Sequence, residues 1–321
     1  MSKEAQQGWT TRLPVAAIGL LLAAPVPAAE PDPVWMFNFN DVFLDIACMD
    51  GGKAVVVGDR GTVLVTHGSY PNLWSPRDSR TTEMLTAVSF VDATHGWAAG
   101  HGGIILHTDD GGQGWRVQRE SSPENLPLFD IHFVSREVGY ASGAYDTLLK
   151  SIDGGETWRS IATGTDVIYN GVFFHDADNG FLLGEFGSLL RTADGGESWR
   201  QVDIGDYQGS LFGISFLSRD RALAYGISGK LMLSEDGGDT WEDIASGTEE
   251  ALFRAAADGD DVVVVGKSGI ILTSSDGGRS FSSTLQPDNY TLAGVCARAD
   301  DGFLAVGEFG SILDVEVSGH E

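Results

Sequence analysis

Between residues 85 and 119 the chain reads as four short runs. LTAVSFVD alternates apolar and polar positions, and the turn DATHG follows; then come WAAG, a glycine turn, IILHT, a turn built on DGG, and WRVQ. Alternation with a period of two puts one face of a strand on a core, and clusters of Gly and Asp between the runs mark turns. Four such runs joined by tight turns predict an antiparallel meander. From Glu30 onward no apolar period of helical spacing persists long enough for a sizeable helix.

The meander recurs. A signature G-x-x-G-x followed by two aliphatic residues starts at Gly58, Gly100, Gly184, Gly226, Gly266 and Gly307, with the variant GAYDTLL at Gly143. In chain order the spacings are 42, 43, 41, 42, 40 and 41 residues. A second signature follows in five units: HTDDGGQGW to Trp115, SIDGGETW to Trp158, TADGGESW to Trp199, SEDGGDTW to Trp241 and SSDGGRSF to Phe281. The first unit carries a decayed copy, THGSYPNLW, and in the seventh the chain ends before one. A fixed period of this length with four strands per unit predicts an all-β fold, a seven-bladed β-propeller of four-stranded antiparallel blades. The last blade lacks its outer strand. DPVWMFNFN offers Trp35 where other units have their box Trp, so Trp35 to Phe39 is expected to supply that strand and close the ring.

Turn chemistry accounts for the repeated box. Asp110, Asp153, Asp194, Asp236 and Asp276 are expected to accept hydrogen bonds from backbone N–H groups one or two residues ahead and so lock a turn. The glycines permit positive φ, and the aromatic residue is expected to pack between blades. Five identical devices on five blades cannot converge on one substrate, so the box reads as scaffold. Its pattern resembles the Asp box of sialidases and related propellers. Boxes, glycine turns and seven units together resemble the photosystem II stability and assembly factor family, over nearly all of the chain after its leader. That resemblance implies a non-catalytic propeller that binds newly made photosystem subunits in or near the thylakoid lumen, with relatives in bacteria that lack photosystems. Photosynthetic members are expected to use an arginine-rich patch, whereas arginine is sparse here.

Charge narrows the partners. Twenty Lys and Arg stand against 46 Asp and Glu in 321 residues, a formal net charge of −26. Such a surface repels phosphate backbones and anionic headgroups, and suits cationic partners or a salty medium. At the N-terminus Lys3 and Arg12 precede an apolar run from Leu13 to Ala24, then Val26-Pro27-Ala28. The run is short for a bilayer span and fits a cleaved signal peptide over residues 1–29. A single propeller would then occupy 30–321, exported to the periplasm or beyond, with no membrane insertion.

No nucleophile elbow, HExxH, CxxC pair or phosphate loop occurs, and Arg116, Arg159 and Arg200 lie on the outer strands of three different blades, away from any common centre. The acidic turns at Asp176, Asp178, Asp258, Asp260 and Asp261 lack EF-hand spacing, so no metal or other cofactor is expected. Positions where the repeats differ are more informative. The third residue of the innermost strands is Asp45, Ala87, Asp130, Gly171, Gly213, Arg254 and Gly294 in turn, which puts two carboxylates and an arginine in the central channel. They are either satisfied charges in a water-filled channel or a polar mouth that receives part of a ligand or partner. Among the middle residues of the G-x-x-G turns, Arg60, His101, Tyr145, Glu185, Phe186, Glu308 and Phe309 are candidates for a partner-binding face, because aromatics and arginine anchor interfaces. Cys48 falls in the register of Phe90 and Phe133, while Cys296 is offset by one residue and points the other way, so no disulfide is expected. The leading expectation is a monomeric, non-catalytic factor that receives a membrane or envelope protein on the turn face. A glycan-binding or sialidase-like propeller is the alternative.

Overall fold

The structure, a computed structural model, describes residues 41–66, 74–298 and 302–317. The sheets follow the sequence pattern closely. Blade 2 consists of Leu85–Phe90, Gly96–Gly100, Ile105–Thr108 and Arg116–Arg119, hydrogen-bonded in chain order and antiparallel throughout. Six blades have four strands, and the seventh has three among the described residues, Leu292–Ala297, Phe303–Gly307 and Ile312–Val315. The expected closing strand, Trp35 to Phe39, and most of the decayed box of blade 1 lie outside the described residues.

The first strand of each blade packs on the first strand of the next, and Leu292–Ala297 of blade 7 packs back on Phe43–Met49 of blade 1. The core is therefore a set of seams between blades. Val55, Val57 and Val65 of blade 1 meet Leu85, Leu106 and Trp115 of blade 2, and equivalent clusters fill the other seams. The box tryptophans Trp158, Trp199 and Trp241 likewise lie against the preceding blade.

The first glycine of every G-x-x-G turn is required by a close backbone approach. A Cβ at Gly58, Gly100, Gly143, Gly184, Gly226, Gly266 or Gly307 would lie 1.9–2.3 Å from the carbonyl oxygen that leads into the blade's first strand. A register shift at the start of each of these strands brings that carbonyl in. No side chain fits in that space, and this explains why the signature recurs.

The boxes are turn locks, with a longer reach than expected. Asp153 Oδ1 accepts from the Thr157 backbone N–H four residues ahead, at 2.9 Å, and Oδ2 accepts from the Thr157 hydroxyl at 2.6 Å. The Ser151 hydroxyl donates to Asp153 and accepts from the Gly155 N–H, and the Trp158 indole donates to the Gly155 carbonyl. Asp194, Asp236 and Asp276 repeat this arrangement, and Asp110 does so with Gly114. Hydrogen bonds to the ionised form hold these carboxyls below their usual range: Ser198 depresses Asp194 to about 2, and Ser280 depresses Asp276 to about 2.

A carboxyl lowered in the folded state stabilises above its unfolded pKa, near 3.8, and loses that contribution as pH falls through the folded value, about 2. The boxes' share of the urea midpoint is therefore expected to stay level from neutrality to about pH 4 and to drop between about pH 4 and 2. An Asp194→Asn/Asp276→Asn variant should show a shallower drop. Parallel curves for the two proteins would show that the boxes contribute nothing to the acid response.

The cysteines correct the sequence reading. Cys48 and Cys296 form a disulfide, with Cα atoms 5.6 Å apart. They do point to opposite faces of their own sheets. Adjacent blades, however, meet opposite face to opposite face, so residues of opposed parity on blades 7 and 1 converge on one seam. Both lie in the cluster of Phe43, Ile46, Leu64, Trp74 and Val306.

Candidate functional site

Two sets of residues stand out from the repeat, one along the axis and one on the face where the G-x-x-G turns lie. At the axis, Arg254 reaches Asp45 at 3.0 Å and Asp130 at 3.6 Å. Each carboxylate also accepts a backbone N–H from the following blade, Asp45 from Val88 and Asp130 from Val172, both at 3.0 Å. The other channel positions are small because the inner strands crowd there. A Cβ on Gly171 or Gly294 would come within 3.0 Å of backbone atoms of the next blade.

Burial works against the charge on Arg254, but Asp45 and Asp130 outweigh it and hold the guanidinium cationic. Burial pushes both carboxyls up against the pull of Arg254. Two carboxyls share one guanidinium, so the second carboxyl is the one that resists ionisation. The three channel charges thus pair with one another and with backbone N–H groups.

On the turn face each signature forms a tight turn closed by a backbone bond, such as Ser188 N–H to the Glu185 carbonyl at 3.0 Å. The second middle residue adopts left-handed backbone: φ is +51° at Tyr145, +56° at Phe186 and +57° at Phe309. A non-glycine residue there carries of order 1 kcal/mol of strain. In blade 3 the strain is doubled, because Asp146 replaces the last glycine at φ +57°, held by its N–H to the Val167 carbonyl and by the Thr163 hydroxyl.

The turn geometry points these rings outward. Tyr145 and Phe186 are each 67% exposed, and Phe309 is 46% exposed beside Tyr290, ring centroids 4.3 Å apart. The other candidates have closer surroundings. Arg60 is ion-paired with Asp59 at 2.5 Å and Asp41 at 3.0 Å. Glu308 accepts the Thr291 N–H at 2.9 Å, and His101 and Glu185 are half-buried in their turns.

Three residues were missed. Leu126, Ile227 and Leu285 are exposed on this same face: Leu126 leads into blade 3, Ile227 opens the blade 5 turn, and Leu285 pairs with Ile270 next to the blade 6 turn. Six of the seven exposed large apolar side chains among the described residues thus share one face, the exception being Ile152 in a box. For Ile227 the signal was its place in the signature. Leu285 gave none, since it is one apolar residue at the end of a polar strand.

The opposite face and the rim hold the remaining chemistry. Arg116 pairs with Glu156, Arg159 with Glu197 and Arg200 with Asp239, each bridging one outer strand to the next blade's box. Asp176 is a turn lock for Asp178 and Asn179, Asp258 and Asp261 close a hairpin, and Asp260 pairs with Arg221. Among the described residues no three His, Cys, Asp or Glu are grouped to hold a metal, and no helix is long and apolar enough to cross a membrane.

Comparison with known proteins agrees with this architecture. The structure described as YCF48 bound to D1 peptide superposes with a TM-score of 0.71 at 18% identity, covering 91% of this chain and all of that one. YCF48 from Cyanidioschyzon merolae gives 0.69 at 16% identity, over 88% of this chain and 97% of that one. A GH74 enzyme from Niastella koreensis gives 0.68 at 12% identity, and this chain spans 54% of it. No curated protein matches the sequence. The model of the photosynthesis system II assembly factor YCF48 family matches four overlapping stretches, 28–127, 120–207, 158–246 and 201–295. With its repeats matched from residue 28 to residue 295, the chain belongs to the YCF48 photosystem II assembly factor family.

Proposed function

We propose that this protein is an exported, monomeric, non-catalytic assembly factor that receives a membrane or envelope protein on its turn face. The observation that carries the reading is the one-sided exposure of apolar side chains, with Tyr145 and Phe186 presented from strained turns. Isolated exposed apolar residues are ordinary, whereas a set gathered on one face, rich in aromatics, is the composition of a binding surface. Family membership and the peptide-bound relative support a protein ligand. The Cys48–Cys296 bridge supports export, because structural disulfides persist in oxidising compartments.

The GH74 likeness supports a glycan-active reading more weakly. Glycoside hydrolysis needs a carboxylic acid that is protonated near neutrality and a second, free carboxylate. The rim cleft of about 500 Å³ that contains Asp194 and Asp239 supplies neither. Asp194 is held ionised by Ser198 and Thr192, and Asp239 is paired with Arg191 and Arg200.

A Tyr145→Ala/Phe186→Ala/Phe309→Ala variant should keep the wild-type melting temperature, since these rings are exposed. Cross-linking in the native cell envelope should recover a specific partner with wild type and at least about tenfold less with the variant, the loss expected when interface anchors are truncated. Recovery that ignores the three substitutions would remove the turn face from the reading.

A further inference from the structure

The geometry points to a partner segment that is cationic as well as apolar, seated on the arc of turns and loops of blades 3 to 5. This deepens the assembly-factor reading and rests on it. On the opposite face and the rim, acids stand among arginines: the five box aspartates hold turn donors, and Glu156, Glu197, Asp239 and Asp260 pair with Arg116, Arg159, Arg200 and Arg221.

On the arc the carboxylates are Asp146, which accepts the Thr163 hydroxyl, and Asp166, Glu185, Asp203, Asp206, Glu249 and Glu250. No lysine or arginine among the described residues lies within ion-pair distance of any of them. The loops of that arc, residues 144–147, 161–168, 185–188, 202–210, 227–230 and 244–251, contain a single cation, Lys230. It is already paired with Asp243, and its ammonium lies 4.7 Å from the centre of the Tyr207 ring.

Tyr145, Phe186 and Ile227 project from consecutive turns among these acids. The loops are tied to one another and so preorganised. Gly187 N–H donates to the Gly209 carbonyl at 2.8 Å, and the Tyr207 hydroxyl donates to the Ile227 carbonyl at 3.3 Å. Carboxylates with no cation beside them, set around exposed rings, attract lysine or arginine twice, by charge and by the ring faces, while apolar residues of the same segment cover the anchors. Anionic partners meet uncompensated like charge there.

Two labelled peptides test this on the intact chain, one alternating Lys with Trp and the other alternating Glu with Trp. The Lys–Trp peptide is expected to bind at least about tenfold more tightly, with an affinity that falls as salt rises. Asp203→Lys/Glu249→Lys and Tyr145→Ala/Phe186→Ala should each weaken it about tenfold, whereas Asp109→Lys/Asp220→Lys on the opposite face should not.

Equal or tighter binding of the Glu–Trp peptide, lost in Tyr145→Ala/Phe186→Ala, overturns the cationic chemistry while leaving the docking face standing. Binding that ignores the aromatic substitutions and falls equally in both charge reversals overturns the face itself. Binding of neither peptide overturns the inference.

Discussion

Replacing Arg254 with methionine is expected to destabilise the propeller by about 3 kcal/mol, a fall in melting temperature on the order of 10 °C. The variant leaves Asp45 and Asp130 buried at the axis without their cation, which is the costly way to break a buried ion cluster. The lower end of the usual range applies because 23% of the Arg254 side chain stays accessible in the channel, so water can relieve part of the loss. The dependence on pH gives a second readout. Without Arg254 both carboxyls move further up. A carboxyl raised in the folded state costs stability as pH rises above its unfolded pKa, so the penalty should grow as pH rises above about 4. Asp45→Asn/Asp130→Asn/Arg254→Met should recover much of the stability, since it removes the uncompensated charges together. An unchanged melting temperature in Arg254→Met would show that the cluster is hydrated and loosely held.

Cys48→Ala/Cys296→Ala, or reduction of the wild type, is expected to cost about 5 kcal/mol in the chain-entropy account of cross-links. The bridge joins residues 248 apart and pins blade 1 to blade 7, so it removes more freedom from the unfolded chain than a local bridge could. It also sits on the seam between blade 7 and blade 1, which no loop among the described residues links. Chemical denaturation with and without reductant measures the effect. A difference below about 1 kcal/mol would mean that packing across the Phe43, Ile46 and Val306 seam closes the ring unaided.

Much of this molecule was legible in its amino-acid order. The spacing of Gly58, Gly100, Gly143 and their successors counted the blades, because every blade meets the same carbonyl at the same turn. The box aspartates could be assigned as locks because donor and acceptor lie within four residues of each other. The outward rings of Tyr145, Phe186 and Phe309 were found because they break a pattern that the other blades keep. What these have in common is short range: each is settled within one repeat by hydrogen bonding and sterics that the repeat itself contains.

Three features lay beyond that range. Arg254 could be picked out as odd, but its junction with Asp45 and Asp130 joins blades 1, 3 and 6 across the axis. The one-sided gathering of Leu126, Ile227 and Leu285 with the turn aromatics depends on which loops share a face, including an outer-strand end that carries no signature. The pairing of Cys48 with Cys296 is hidden from the sequence because parity along a strand reports only that strand's own sheet. In a closed ring each sheet presents opposite faces to its two neighbours, so opposed parity is the condition for contact across a seam. Local sequence determined the blades and their turns; only ring closure decided which blades, charges and cysteines meet, because those pairings are set by the curvature of the whole ring.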